Sequence, residues 1–97
     1  MKLRVYSSKP RGDEPNLVAI QDARLTHVPT ILVCPMQRNL SPAPFRAEVS
    51  WRETRHIVAC DLVRPIHRRV LRLLGEISAA DSETVIAALQ RLIADTD

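Results

Sequence analysis

NLVAIQDARLTHVPTILVCPM (Asn16–Met36) holds two short apolar runs separated by a polar connection. Leu17-Val18-Ala19-Ile20 and Ile31-Leu32-Val33-Cys34 are each of strand length, rich in β-branched residues and bounded by polar or Pro punctuation, which predicts two neighbouring buried strands. The connection from Gln21 to Thr30 carries Asp22, Arg24, Thr26 and His27, so side chains able to bind or catalyse sit on a loop held by a rigid sheet. For a loop of this composition the plainer reading, that these residues merely solvate a turn, is the favoured one.

Working outward, Lys2-Leu3-Arg4-Val5-Tyr6 alternates polar and apolar and predicts an opening half-buried strand. Ser7 to Pro15 concentrates Ser, Pro, Gly and charge and reads as an exposed hairpin loop. Beyond the two central strands, Gln37 to Pro44 has the content of another loop. Ala47 to Trp51 alternates again, and Arg55 to Cys60 follows after a short charged turn, a hairpin pattern that puts Trp51 at a sheet edge or in a dimer contact and His56 at an edge position. Pro65 disfavours helix at Arg64, so Leu62 to Ile66 is expected to be extended. Arg68 to Leu74 fits one helical turn running into a final strand that reaches Ile77. Val85, Ile86, Leu89, Leu92 and Ile93 recur at helical spacing, predicting an amphipathic helix over 82–94 capped by Asp81 or Ser78 and laid on one face of the sheet.

A chain of 97 residues that is 45% hydrophobic suits one domain, 1–97, with one core, and 3% aromatic content makes that core aliphatic. So small a core favours pairing with a second copy. The net charge of +3 is too modest for a dedicated nucleic-acid binder. Its distribution is more informative: Arg46, Arg52, Arg55, Arg64, Arg68, Arg69 and Arg72 are opposed in their stretch by Glu48, Glu53 and Asp61 alone. A guanidinium stripe of this kind fits phosphates or a partner's carboxylates, or is a solvated face of local ion pairs. No run suits a secretory leader or a membrane span, which points to the cytoplasm.

Cys34 and Cys60 lie in apolar runs as free thiols, and without a Cys-x-x-Cys spacing no metal site is expected; no cofactor motif occurs either. Only two Gly are present, which excludes a phosphate-cradling Gly array. Of the three His, His67 lies among arginines and His27 occupies the loop beside Arg24 and Thr26, which makes His27 the candidate general base.

Several segments resemble the CcdB toxins of bacterial toxin–antitoxin pairs, whose small barrel is shared with the MazF/PemK mRNA interferases. They are Val5-Tyr6 before a charged loop, Leu17-Val18-Ala19-Ile20-Gln21-Asp22, Thr30-Ile31-Leu32-Val33-Cys34-Pro35-Met36, Val63-Arg64-Pro65-Ile66-His67-Arg68-Arg69-Val70-Leu71 and Ala87-Ala88-Leu89. The resemblance runs through nearly the whole chain in order. It implies a mostly β fold with antiparallel strands in a small SH3-like barrel, a C-terminal helix, a homodimer, and an antitoxin partner with a disordered acidic tail, received by Arg11, Arg38, Arg46 and Arg52.

For the target, the resemblance to CcdB implies poisoning of DNA gyrase through its A subunit, with Leu92, Ile93, Ala94 and Asp95 as the contact. The chain departs from that pattern: the family's aromatic residue and Gly-Ile at the terminus are replaced by a tail ending in two carboxylates. The interferase alternative implies RNA cleavage by Arg24, His27 and Arg38. There too the chain departs, with Gln37 and Arg38 standing where the interferases carry a hydroxyl residue. A degenerate member that binds antitoxin alone is the third reading.

Overall fold

The computed structural model describes residues 1–8, 12–22, 24, 25 and 27–94. Its strands are β1 (Arg4–Ser8), β2 (Leu17–Ala19), β3 (Thr30–Gln37), β4 (Arg46–Trp51), β5 (Thr54–Ala59), β6 (Arg64–His67) and β7 (Leu71–Glu76), followed by helix α1 (Ala79–Ala94). Every strand pair is antiparallel, in the order β4-β5-β3-β2-β1-β7, with β6 added to β3. The expected mostly β architecture with a C-terminal helix is what the chain adopts.

β3 is the hub because it is long enough to hold three partners. Val33, Cys34 and Pro35 pair with β2, Thr30 to Val33 with β6, and Met36 and Gln37 with β5. Strand pairing thus carries β3 three residues past Cys34, through Pro35 and Met36 to Gln37, a residue the sequence places in a loop. β2 is buried along its whole length, as an uninterrupted apolar run requires. Val18 and Cys34 face one cluster with Val5, Met36, Val49, Trp51, Val58, Ile77 and Val85, while Leu17, Ala19 and Val33 face a second with Tyr6, Ile31 and Leu71.

α1 covers the first of these faces, inserting Val85 and Ala88. It begins at Ala79, three residues before the expected start, because Ser78 caps it: Ser78 Oγ accepts from Asp81 N at 3.0 Å. Buried Ser82 Oγ accepts from Leu3 N at 2.8 Å, and Asp81 Oδ2 accepts from Ser50 N at 2.9 Å, so the first turn of the helix is tied to β4 and to the residue that leads into β1.

β4 and β7 end the strand order without pairing to each other, which leaves a half-barrel rather than a closed ladder. Trp51 bridges them. It does lie on an edge strand, but its indole turns into the core, where only 8% remains exposed and its Cη2 would lie 2.9 Å from a Cβ placed on Gly75. A residue other than Gly at that point of β7 has no room. The segment 68–76 follows the sequence reading, one 3₁₀ turn over Arg68–Val70 running into β7.

The Cys34 and Cys60 thiols are both free and buried; the neighbouring Cys60 thiol, and then burial, pushes the Cys34 thiol far above its ordinary range. Among the described residues no helix is long and apolar enough to cross a membrane, and no group of His, Cys, Asp or Glu is gathered for a metal.

Candidate functional site

A cleft of about 660 Å³ opens where β3 passes from β2 to β5. Glu14 and Asn16 line it from the approach to β2, Gln37, Arg38 and Asn39 from the end of β3, His56 from β5 and Arg64 from β6. Asn16 fixes one wall: its Oδ1 accepts from Ser8 N at 2.9 Å, and its backbone carbonyl accepts from Met36 N at 2.9 Å. The side chain thereby closes the base of the β1–β2 loop, and the backbone carbonyl holds it beside the end of β3.

His56 is 3% exposed and sits on β5, an inner strand between β4 and β3, not at the sheet edge that alternation alone suggests. Its Nδ1 lies 3.0 Å from Thr54 O. A carbonyl only accepts, so Nδ1 carries the hydrogen and Nε2 holds the lone pair of the neutral ring. Arg38 and Arg64 are exposed and have no ion-pair partner among the described residues. The cleft therefore combines two available guanidinium groups, a histidine in a fixed tautomer, and the amides of Gln37 and Asn39.

A second cavity of about 230 Å³ shares Glu14, Pro15, Arg38 and His56 with the first and is closed by Asp13, Trp51, Arg52 and Thr54. The two are lobes of one trough. Arg52 and Glu53 form the two-residue turn between Trp51 and Thr54, both with positive φ (48° and 67°), and the Arg52 guanidinium lies 5.1 Å from the Trp51 ring centroid.

Of the residues named from sequence as a ribonuclease set, Arg38 lies in the cleft and Arg24 and His27 do not line it. They precede β3 whereas Arg38 follows it, and an eight-residue strand holds its ends about 25 Å apart. Arg24 is instead bound to Asp22, with Nη2 at 2.7 Å from Oδ2, and its hydrogen bonds hold the Asp22 carboxyl down at about 2. Thr26 lies outside the described residues. His56, Arg64, Glu14 and Asn16 are the residues that sequence reasoning missed. The single local signal was that the second apolar run, Ile31 to Cys34, leads directly into Pro35-Met36-Gln37.

The arginine stripe is largely spent on the protein itself. Arg46 pairs with Asp61 at 3.5 Å and bonds Ser41 O at 3.2 Å, and Arg55 pairs with Glu48. Arg72 reaches Asp13 at 3.2 Å, and Arg68 donates to Val28 O and Leu25 O at 2.5 Å each, stapling the β2–β3 loop. Of the expected antitoxin contacts, Arg46 is thus occupied, Arg38 and Arg52 face the trough, and Arg11 lies outside the described residues. Leu92 and Ile93 are 42% and 75% exposed on the end of α1; the Ala94 side chain and Asp95 lie outside the described residues.

The fold recurs in solved structures at low identity. An endoribonuclease in complex with its cognate antitoxin from Mycobacterial species is 17% identical, with a TM-score of 0.77 over 94% of this chain and 91% of that one. The MazE–MazF complex (Form-I) from Deinococcus radiodurans is 18% identical, with a TM-score of 0.77 over 94% and 92%. The Mycobacterium tuberculosis toxin MazF-mt6 is 16% identical, with a TM-score of 0.75 over 100% and 99%. No curated protein matches the sequence. The family model that matches, across residues 1–93, is that of the PemK-like, MazF-like toxins and not the CcdB branch, so the expectation of a CcdB-type gyrase poison finds no support. By that match the chain belongs to the PemK-like, MazF-like toxins of type II toxin–antitoxin systems.

Proposed function

We propose that this toxin cleaves single-stranded RNA in the cleft at the end of β3. The observation that carries the reading is the meeting of unpaired Arg38 and Arg64 with His56, whose Nε2 is left as the basic nitrogen. His56 Nε2 takes the proton of a ribose 2′-hydroxyl, and the oxygen attacks the adjacent phosphorus. Arg38 and Arg64 stabilise the charge on the phosphorane oxygens. The bond to the 5′-oxygen breaks, that oxygen takes the proton back from the imidazolium, and a 2′,3′-cyclic phosphate remains. Gln37 and Asn39 donate hydrogen bonds that hold the strand.

Single-turnover cleavage of a labelled single-stranded RNA tests this. The wild-type chain is expected to cut, and Arg38→Ala and His56→Ala to lose most of the rate while keeping the fold by circular dichroism. Intact RNA with the wild-type protein, or undiminished cutting by both variants, counts against it.

The same trough is where an antitoxin's acidic segment would act, since a carboxylate seated on Arg38 and Arg52 excludes phosphate from them. The exposed Leu32, Leu62 and Val63 around β6 supply the aliphatic surface for a homodimer. Light scattering at micromolar concentration decides between dimer and monomer.

A further inference from the structure

The trough does not end at the cleft. Its second lobe adds to the first a guanidinium lying over an indole, and Asp13 beside the shared Glu14. We propose that this lobe is a base subsite, where a guanine flanking the scissile phosphate stacks on the Arg52 guanidinium at the rim of Trp51 and offers its Watson–Crick N–H donors to Glu14. The inference rests on the RNA-cleavage reading and names what that site prefers.

Electrostatics divides the lobe between the parts of a nucleotide. A phosphate is repelled by Asp13 and Glu14 and drawn to Arg38 and Arg52, so the backbone lies towards the guanidinium groups and the base edge towards the carboxylates. Ionised carboxylates only accept hydrogen bonds, which favours a base edge that presents two adjacent donors over one that sets a donor beside an acceptor. Guanine places N1–H and N2–H side by side and meets both oxygens of one carboxylate. Uracil has a single N3–H between two carbonyl oxygens that the carboxylate repels. Asp13 is already engaged by Arg72 at 3.2 Å, whereas Glu14 has no ion-pair partner among the described residues, so Glu14 is the reader.

The stacking element is held in place before any ligand arrives. Arg52 occupies a two-residue turn, and its neighbour Trp51 is anchored against Gly75 in the core. A guanidinium plane is a stacking surface for unpaired bases. Trp51 is the only tryptophan in the chain, and it lines this lobe, so its fluorescence responds to an occupant there.

The test is titration of the full chain with 2′-O-methyl pentauridylate carrying G, A, C or U at its centre, which cannot be cut because the attacking hydroxyl is blocked. Binding is expected to change Trp51 fluorescence, with the G oligonucleotide about tenfold tighter than the all-U one, as a two-bond base contact gives. Glu14→Gln should bring the G oligonucleotide to the all-U affinity, and Arg52→Lys, which keeps the charge but loses the plane, should weaken all four. Equal affinity for the four centres, a G preference that survives Glu14→Gln, or cleavage of ordinary RNA without any fluorescence response overturns the subsite. If the preference is found and unmodified RNA stays intact, the subsite stands and the cleavage reading falls.

Discussion

Trp51 and Gly75 join strands that share no hydrogen bond: the benzo edge of the indole occupies the space a side chain at position 75 would need. Gly75→Ala forces a Cβ to within 2.9 Å of Trp51 Cη2, so either the indole or β7 must shift. The expected loss is about 1–3 kcal/mol, as for other overpacked cores, read as a lower denaturant midpoint. The fluorescence of the native protein should change with it.

Ser82→Ala removes the acceptor for Leu3 N and leaves a buried backbone N–H unsatisfied. Such a group costs about 1–3 kcal/mol. Ser82→Thr, which keeps the hydroxyl, should retain more of the stability than Ser82→Ala in the same urea titration, unless its added methyl finds no space.

The turn at Arg52 and Glu53 holds two non-glycine residues in the left-handed region. Glu53→Gly relieves one of them, and the relief exceeds the extra freedom of glycine in the unfolded chain by about 0.5–1 kcal/mol. A higher melting temperature with unchanged native fluorescence is the expected result. A lower one would mean that the Glu53 side chain contributes a contact the turn depends on.

Asp22 titrates at about 2 because Arg24 hydrogen-bonds its carboxylate, against an ordinary value of 3.8. A folded-state pKa below the unfolded one stabilises above pH 3.8 and loses that contribution as pH falls from 3.8 through 2. The pair is exposed and its effect is small. Asp22→Asn should flatten this part of the acid limb, and carbon-13 shifts of the carboxyl should show its midpoint near 2.

Within the cleft, Arg38→Ala and His56→Ala are each expected to slow RNA cleavage by about 100-fold or more. Arg24→Ala and His27→Ala, at the far end of β3, should cut like the wild type. Loss of cutting in those two instead would move the chemistry to the β2–β3 loop.

Much of the fold was legible because its signals are local. Alternation marks β1 and β4, the uninterrupted Leu17–Ala19 run marks a strand buried on both faces, and the periodicity of Val85, Ile86 and Leu89 marks α1. The site was less legible because β3 assembles it from distant parts. Glu14, Gln37, His56 and Arg64 become neighbours through the three pairings of one strand, and no spacing in the sequence encodes that. His56 and an edge-strand histidine look alike in a period-2 pattern until the strand order is known. The arginine stripe misled for the same reason: Asp13, partner of Arg72, and the carbonyls held by Arg68 come from other elements. His27 and Arg24 drew attention by being adjacent in sequence, and adjacency on a loop is a weaker guide than a shared cleft.

The pairing of β1 with β7, and the bond from Leu3 to Ser82 that spans 79 residues, have a consequence during synthesis. Contacts this distant along the chain give a high contact order, and their loop-closure entropy is recovered only after the last elements exist. While the C-terminal helix is still inside the ribosome, Leu3 lacks its acceptor and Val5 lacks the side chains of Ile77 and Val85 that complete its cluster. A chain built this way keeps its first strand without its full set of partners until Ile77, Ser82 and Val85 have emerged.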